Sequence, residues 1–233
     1  MLNSLSLIVP AFNEEAAIKD SIQIYNQKLR KFTKKYEIIV IDDGSTDNTA
    51  KILQGIIKKY KKVKGITHKE NLGVGRAIWD GFKKARYEWI LTNSADQAFN
   101  LDDLKRAGEQ FKTADVIVFV RQDRSANSNF RKLTSMTSFL LVKLFFRTPI
   151  EDFHFVQAYK REILKNVKIA ARDTFMPAEL LVNLYRRGYN IAQVKAKFYK
   201  RSAGRSKYGN PVRYLKYLKE LFTFWIKITF NEN

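Results

Sequence analysis

Short apolar runs alternate with segments of helical periodicity over the first half of the chain. Each run is four to six residues long and rich in β-branched side chains, which is typical of buried strands. The predicted strands are Leu5–Pro10, Glu37–Ile41, Val63–Thr67, Glu88–Leu91 and Val116–Val120, and the predicted helices between or after them are Glu14–Lys31, Asp47–Lys59, Gly75–Ala85 and Leu101–Phe111. This alternation predicts βαβ units, and therefore an α/β fold with a mainly parallel sheet flanked by helices.

The regular alternation of predicted strands and helices ends after Val120. Phe130–Arg147 and Pro177–Arg187 have the spacing of helices, Ile191–Phe198 has the pattern of a strand, and the C-terminal stretch is helical to its end. No internal repeat or low-complexity linker separates these segments. We therefore expect one domain over residues 1–211, followed by an amphipathic helix over residues 212–233.

Composition narrows the classes of protein that fit. The 233 residues suffice for one well-cored domain, and the absence of cysteine excludes disulfides and thiolate metal sites. We see neither a signal peptide nor an apolar run long enough to span a membrane, so we expect a cytoplasmic protein, soluble or peripheral. The net charge of +20 favours a polyanionic partner, either nucleic acid, anionic lipid or phosphorylated substrates, although a basic solvated surface would have the same composition.

Polar residues follow the first two predicted strands directly. Pro10-Ala11-Phe12-Asn13-Glu14 comes after the first strand and Asp42-Asp43-Gly44-Ser45 after the second. In open parallel sheets, ligands bind beyond the carboxyl ends of the strands. A carboxylate there can accept hydrogen bonds from the N–H edge of uracil or guanine, or from ribose hydroxyls. The alternative is that Asp42, Ser45 and Asp47 only cap a turn and a helix.

These motifs resemble those of a known family. LIVPAFNEE and VIDDGSTDNT resemble the opening of family-2 glycosyltransferases, and NLGVGRAIWDG resembles their N-x-G-x-x-x-A-x-x-x-G segment. The Arg-x-x-Gly-x-Ser-Lys segment at 201–207 resembles the polyprenyl-phosphate branch, which includes dolichol-phosphate mannose and glucose synthases. The resemblance extends from about Leu5 to Tyr208.

The resemblance implies a fold, a reaction and a set of site residues. It implies a GT-A type nucleotide-sugar-binding fold and inverting transfer from a UDP- or GDP-linked sugar to a polyprenyl or dolichyl phosphate. The implied nucleotide-sugar site consists of Pro10, Phe12, Glu14, Ile41, Asp43, Ser94, Ala95, Asp96 and Arg121. Arg131, Arg201, Ser206 and Lys207 would bind the diphosphate and the acceptor phosphate. Asp96, Arg121 and Arg201 are the implied catalytic residues.

The sequence departs from the family where a metal ion is expected. The family has Asp-x-Asp after the fourth strand, whereas this chain has Ser94 in the first position and only Asp96 in the second. Three interpretations stay open. Asp96 holds Mg²⁺ or Mn²⁺ together with substrate oxygens, arginine and lysine side chains replace the metal, or catalysis has been lost.

The acceptor decides whether a base is needed. A phosphate monoester is already an anion at neutral pH, so a lipid-phosphate acceptor needs no strong base. A sugar-hydroxyl acceptor would need one, and Glu151 and Asp152 are the candidates. We interpret His68 and His154 as structural.

The C-terminal helix predicts contact with a membrane. Tyr214, Leu218, Leu221, Trp225 and Ile228 fall on one helical face, with Lys216, Glu220, Thr223 and Lys227 opposite. This pattern suits an anionic membrane surface, on the inner face of the membrane, or a membrane-anchoring partner subunit. The alternative is packing on the domain itself. A nucleic-acid-binding module is the rival from another class, but no motif of that class is present, and we expect no nucleic acid partner.

Overall fold

The computed structural model describes residues 2–122, 129–199 and 211–230, with residues 129–132 described by their backbone alone. The strands are β1 (Leu2–Ala11), β2 (Thr33–Asp42), β3 (Val63–Thr67), β4 (Trp89–Thr92), β5 (Val116–Arg121), β6 (Gln157–Lys160) and β7 (Ile191–Ala196). The helices are α1 (Ile18–Phe32), α2 (Thr49–Lys59), α3 (Val74–Lys84), α4 (Gln110–Thr113), α5 (Asn129–Phe146), α6 (Met176–Arg186) and α7 (Pro211–Phe230). Leu101–Ala107 and Arg161–Leu164 are 3₁₀-helical.

The strands form one seven-stranded sheet in the order β3-β2-β1-β4-β6-β5-β7. β6 runs antiparallel to β4 and β5, and the other strand pairs are parallel. The predicted α/β fold with a mainly parallel sheet is therefore confirmed. The sequence did not predict β6, because Gln-Ala-Tyr-Lys lacks the apolar run that marks β4, a strand of the same length.

The two faces of the sheet bury separate apolar cores, because successive residues of a strand point to opposite faces. Leu7 of β1 packs in the core that holds α1 and α2, whereas its neighbour Ile8 packs in the core beneath α3, α5, α6 and α7. Tyr217, Leu221 and Phe224 of α7 belong to this second core. The face predicted to contact a membrane is the one that packs on the domain, since Leu221 is fully buried and Tyr214, Leu218, Trp225 and Ile228 are partly buried against this core. The alternative, packing of the C-terminal helix on the domain itself, is therefore the one that the structure has for this face. The predicted division at residues 211 and 212 stays a prediction.

One predicted α-helix is mostly a 3₁₀ helix in the structure. Leu101–Phe111 was expected to be a single α-helix, but Leu101–Ala107 is a 3₁₀ helix, followed by the single turn α4. The Asn100 side chain accepts a hydrogen bond from Asp102 N at the start, and Gly108 ends the 3₁₀ segment. Glycine is a poor helix former, which explains the break.

The carboxyl ends of the parallel strands share one edge of the sheet. Ala11 pairs with Asp42 at the ends of β1 and β2, and Ile8 pairs with Thr92 at the end of β4. Arg121 ends β5 on this edge. Because β6 is antiparallel, its amino end arrives there as well, directly after residues 152–156. The described helices include none that is long and apolar enough to cross a membrane.

Candidate active site

The loops after β1 and β2 are joined to each other by hydrogen bonds. Asn13 N donates to Ser45 Oγ at 2.9 Å, and Asn13 Oδ1 accepts from Thr46 N at 2.8 Å. Glu14 N donates to Thr49 Oγ1 at 2.8 Å. Asn13 adopts φ of 52°, in the left-handed region that asparagine tolerates better than most residues. The two motifs singled out in the sequence therefore form one structural unit.

The Asp43 carboxylate joins this unit to the residues that follow β3. It is 3% exposed, and it accepts hydrogen bonds from Leu72 N at 2.9 Å and Gly73 N at 3.0 Å. His68 Nδ1 lies 2.7 Å from Asp43 Oδ1, and His68 Nε2 lies 3.5 Å from Asp80 Oδ2. A carboxylate offers about four lone-pair sites, so Asp43 keeps acceptor capacity beyond these three contacts.

The contact of His68 with Asp43 was missed by the sequence analysis, which interpreted His68 only as structural. His68 directly follows β3, at the same sheet edge as Asp43. The rule that drew attention to residues after β1 and β2 applies equally to β3, and it would have marked His68.

Four other residues predicted to line the nucleotide pocket differ in exposure. Pro10, Phe12 and Glu14 are partly exposed at the sheet edge. Ile41 is fully buried beneath α3, where a Cβ on Gly81 would lie 2.8 Å from Ile41 Cδ1. The Ile41 side chain is thus part of the core, and the main chain is what Ile41 can offer a ligand.

The segment from Ser94 to Asp96 follows β4 and is held by α1. The Ser21 and Tyr25 hydroxyls of α1 donate to the carbonyl oxygens of Ala95 and Ser94 respectively. The Ser94 hydroxyl donates to Asp96 Oδ1, which also accepts from Ala98 N at 3.3 Å. Asp96 is 7% exposed. The serine therefore interacts directly with the carboxylate whose partner it replaces.

The described residues contain no cluster of three or more histidine, aspartate or glutamate side chains able to hold a metal ion. Asp96 offers one carboxylate, with the Ser94 hydroxyl beside it. Mg²⁺ commonly takes one or two carboxylates together with phosphate oxygens and water. A single carboxylate fits such an ion when a substrate diphosphate supplies further oxygens.

Arg121 and Asp152 form a bidentate ion pair at the end of β5. Arg121 Nε lies 2.7 Å from Asp152 Oδ2, and Arg121 Nη2 lies 3.0 Å from Asp152 Oδ1. The Asp152 side chain is 1% exposed, and its Oδ1 also accepts from His154 N at 3.2 Å. The pair fixes the guanidinium at the same edge as Asp43 and Asp96.

Four of the predicted phosphate-binding groups are side chains that the structure does not describe. Arg201, Ser206 and Lys207, and the side chain of Arg131, lie outside the described part of the chain. Their assignment to the diphosphate and the acceptor phosphate stays a prediction.

The profile of "Glycosyl transferase family 2" matches residues 6–168, which is most of the chain. The chain belongs to this family. Among curated family-2 relatives, two are named undecaprenyl-phosphate 4-deoxy-4-formamido-L-arabinose transferase. The one from Pseudomonas fluorescens is 28% identical over 94% of this chain and 64% of its own length, and the one from Shewanella sediminis is 29% identical over 89% and 62%. This family-2 chain thus spans less than two thirds of the length of these relatives.

Solved structures of other proteins have the same fold as this family-2 chain. Glucosyl-3-phosphoglycerate synthase from Mycobacterium tuberculosis in complex with phosphoglyceric acid superposes with a TM-score of 0.73 at 17% identity, covering 95% of this chain and 80% of that one. A complex of the same enzyme with Mn²⁺, UDP-glucose and phosphoglyceric acid gives 0.73 at 16% identity, covering 96% and 80%. At such low identity the likeness concerns the fold alone, and it confirms the expected GT-A type.

Proposed function

We propose that the protein transfers a sugar, with inversion, from a UDP- or GDP-linked donor to a polyprenyl phosphate. One observation carries the proposal. The similarity to transferases named for undecaprenyl phosphate covers 94% and 89% of the chain, and so extends past the residues that the family profile matches. The likeness therefore includes the half of the chain that follows the nucleotide motifs.

In the proposed reaction, a phosphate oxygen of the acceptor attacks the anomeric carbon of the donor sugar. The bond from that carbon to the β-phosphate oxygen breaks, and the nucleoside diphosphate leaves with the electron pair. The second pKa of a phosphate monoester is about 6, so the attacking oxygen is already an anion at neutral pH. Catalysis then consists of aligning the two substrates and stabilising the charge of the leaving group.

The sheet edge supplies groups for both tasks. Asp43 retains acceptor capacity for the base or ribose, next to Pro10, Phe12 and Glu14. Arg121, fixed by Asp152, provides positive charge for the diphosphate. Asp96 would hold Mg²⁺ or Mn²⁺, which would neutralise diphosphate charge. The Mycobacterium tuberculosis enzyme of the same fold was solved with Mn²⁺ and UDP-glucose, which supports the use of a divalent metal in general.

The ion pair of Asp152 with Arg121 argues against transfer to a sugar hydroxyl, because that reaction would need a general base. A general base must reach and take a proton, whereas both oxygens of Asp152 already accept from Arg121. We expect Asp152→Asn to keep kcat within about tenfold, because the amide oxygen can still accept from Arg121. Loss of kcat by about 10³-fold or more, with a lost basic group in the pH profile, would instead identify Asp152 as the base.

We further propose that the protein acts as a cytoplasmic, peripheral protein on the inner face of the membrane. α5 and α7 pack together, with the Phe145 and Trp225 rings stacked at 5.0 Å. They expose apolar side chains at helical spacing, here called the two-helix face: Leu133, Met136, Leu140 and Leu144 of α5, and Val212, Leu215, Phe222, Ile226 and Phe230 of α7. Exposed Lys216, Lys219 and Lys227 on α7 suit anionic headgroups. The membrane-anchoring partner subunit stays a prediction.

The direct test offers the full chain radiolabelled UDP- and GDP-sugars with polyprenyl phosphate. The assay is run with Mg²⁺, with Mn²⁺ and with a chelator. We expect label in the organic phase as a lipid-linked sugar with one of the donors. Transfer to a free sugar hydroxyl but never to the lipid phosphate would contradict the proposal. Transfer that survives chelation would assign the leaving-group charge to the protein's cations.

A further inference from the structure

A loop between the second 3₁₀ helix and α6 is held by two carboxylates. Glu179 of α6 accepts from Ala170 N at 2.9 Å and from Ala171 N at 2.7 Å. Glu220 Oε1 of α7 accepts from Arg172 N at 2.9 Å and from Asp173 N at 3.2 Å. Four successive backbone N–H groups are thus satisfied by two side chains. The loop of residues 170–173 depends on α7 as much as on α6.

The same loop packs on the segment that holds the Asp43 carboxylate. Arg76 N, in the first turn of α3, donates to Arg172 O at 2.8 Å. A Cβ on Gly73 would lie 2.6 Å from Arg172 O, and a Cβ on Gly75 would lie 2.4 Å from Asp173 O. Such close approach leaves the segment 73–76 little freedom to shift relative to the loop.

A continuous series of contacts therefore joins α7 to the sheet edge. Glu220 binds the amides of residues 172 and 173, and the carbonyl of residue 172 binds Arg76 N. Gly73 N, three residues earlier, donates to Asp43 Oδ2. A change at Glu220 can thus reach Asp43 through one loop and one helix start.

We propose that Glu220 is a positioning residue for the nucleotide part of the donor site. It keeps loop 170–173 against residues 73–76, so that the amides of residues 72 and 73 hold the Asp43 carboxylate in its binding orientation. This inference rests on the proposed function, in which Asp43 binds the base or ribose. It also corrects the sequence analysis, where Glu220 was assigned to the polar face opposite the apolar one. Its carboxylate is turned toward the domain and is bonded there.

A purely structural contribution of Glu220 predicts a different result. α7 is already anchored by Tyr217, Leu221 and Phe224, which are 3%, 0% and 6% exposed. If Glu220 only added to this anchoring, its loss would lower the melting temperature and leave nucleotide affinity unchanged. A positioning residue changes nucleotide affinity while the sheet stays intact.

The experiment compares Glu220→Ala and Glu220→Gln with wild type in the full chain. UDP and GDP binding is measured by calorimetry without lipid, and hydrogen exchange is followed at residues 72–76 and in β1 and β2. We expect Glu220→Ala to weaken binding of the preferred nucleotide about tenfold, the size of one hydrogen bond to a charged group. Exchange should rise at residues 72–76 and stay unchanged in the sheet.

Two further variants complete the comparison. Glu220→Gln should restore affinity to within about threefold of wild type, because its amide oxygen can accept the same two N–H groups. Thr223→Ala, at an exposed position about one turn further along α7, should change neither readout. If Glu220→Ala does not fold, Glu220→Asp, which withdraws the carboxylate by one methylene, is measured in the same way.

The results that would overturn this inference differ from those that would contradict the proposed function. Nucleotide affinity within twofold of wild type in the alanine variant, or in the aspartate variant if that one is used, would overturn the positioning of the site by Glu220. So would a uniform rise in exchange over residues 72–76 and the sheet. A wild-type protein that binds neither UDP nor GDP would contradict the proposed function, while the exchange data would still decide whether Glu220 holds the segment.

Discussion

Ser94 is the residue at which this chain differs most from the chemistry expected of its family. Its hydroxyl donates to Asp96, so the site has one negative charge where two carboxylates are expected. Two adjacent carboxylates repel each other unless a cation lies between them. We expect Ser94→Asp to lower the Mn²⁺ concentration needed for half-maximal nucleotide binding by tenfold or more. Titration of Mn²⁺ at fixed UDP or GDP measures this, with Ser94→Ala as the control of similar size. An unchanged Mn²⁺ requirement would show that position 94 does not contact the ion.

Glu37 makes the stability of the fold depend on pH. Its carboxylate is fully buried in the middle of β2, and it accepts from Ser6 Oγ, Lys64 Nζ and Arg86 N. Burial acts to raise the pKa of Glu37, but the hydrogen bonds from Lys64, Arg86 and Ser6 together bring that pKa below its usual value. A lowered pKa in the folded state means that the ionised form stabilises the fold. This stability is present above the unfolded pKa of about 4.3, and it is lost as the pH falls through the folded pKa.

Glu37→Gln should therefore lower the free energy of unfolding by about 2–3 kcal/mol at pH 7. The difference from wild type should shrink as the pH falls below the unfolded pKa of about 4.3 and wild-type Glu37 itself becomes protonated. Urea unfolding at several pH values measures both effects. Glu109→Gln is the matched control, because Glu109 is 80% exposed and its pair with Lys112 contributes little. A difference for Glu37→Gln that does not vary with pH would contradict this explanation.

The sequence was informative about which residues meet at the site and less so about what each one does there. Asp43, Asp96 and Arg121 share the sheet edge because each lies at, or a few residues after, the carboxyl end of a strand, a rule that needs only the strand assignments. The burial of Ile41 agrees with its place in a run typical of buried strands, whereas the pairing of Arg121 with Asp152 depends on the antiparallel β6. That pairing leaves no pattern in the sequence, because its two residues lie far apart along the chain.

At the scale of elements, two helical glycines differ in whether their surroundings leave room for a Cβ atom. Gly75 lies in the first turn of α3, where a Cβ would meet Asp173 O at 2.4 Å and Met176 Cβ at 2.6 Å. Gly55 lies in α2, where a Cβ would meet nothing within 4 Å. Gly75→Ala should destabilise the fold by about 1–3 kcal/mol and weaken nucleotide binding, because it pushes α3 from loop 170–173. Gly55→Ala should stabilise it by about 0.5–1 kcal/mol. Chemical unfolding of both variants tests the pair, and destabilisation by Gly55→Ala would contradict the local geometry.

The elements that the sequence predicted well are those with a complete period. α2 and α3 each show one apolar stripe over three turns, and β5 is an uninterrupted apolar run, so their predicted bounds agree with the structure within two residues. β2 begins at Thr33, four residues before its prediction, because Thr-Lys-Lys-Tyr is mostly polar and only its pairing with Leu2–Leu5 makes it a strand. Tertiary pairing therefore extends strands where local preference does not.

At the scale of the whole molecule, α5 and α7 carry exposed apolar side chains with basic side chains beside them. The chain carries a net charge of +20, and within α7 Glu220, the one acidic residue, is turned toward loop 170–173. The two-helix face is thus apolar with a basic surround, the arrangement that favours anionic lipid over neutral lipid. We expect the protein to sediment with vesicles of phosphatidylcholine and phosphatidylglycerol, and to bind pure phosphatidylcholine vesicles much less. Binding should weaken as salt rises, since screening shortens the reach of surface charges to about 8 Å at physiological ionic strength.

The apolar part of this interaction is tested by substitution on the face itself. Leu144 and Ile226 are 70% and 50% exposed, so polar residues there should cost the fold little. Burying a leucine or isoleucine side chain contributes about 1.5–3 kcal/mol, so the double variant Leu144→Gln/Ile226→Gln should lose tenfold or more in vesicle affinity. Ile57→Gln is the control, because Ile57 is a partly exposed apolar residue on α2, on the other side of the sheet. If the protein instead self-associates, and the double variant alone abolishes this, a second copy of the chain covers the face. Equal vesicle binding by all three proteins would show that the face does not contact lipid.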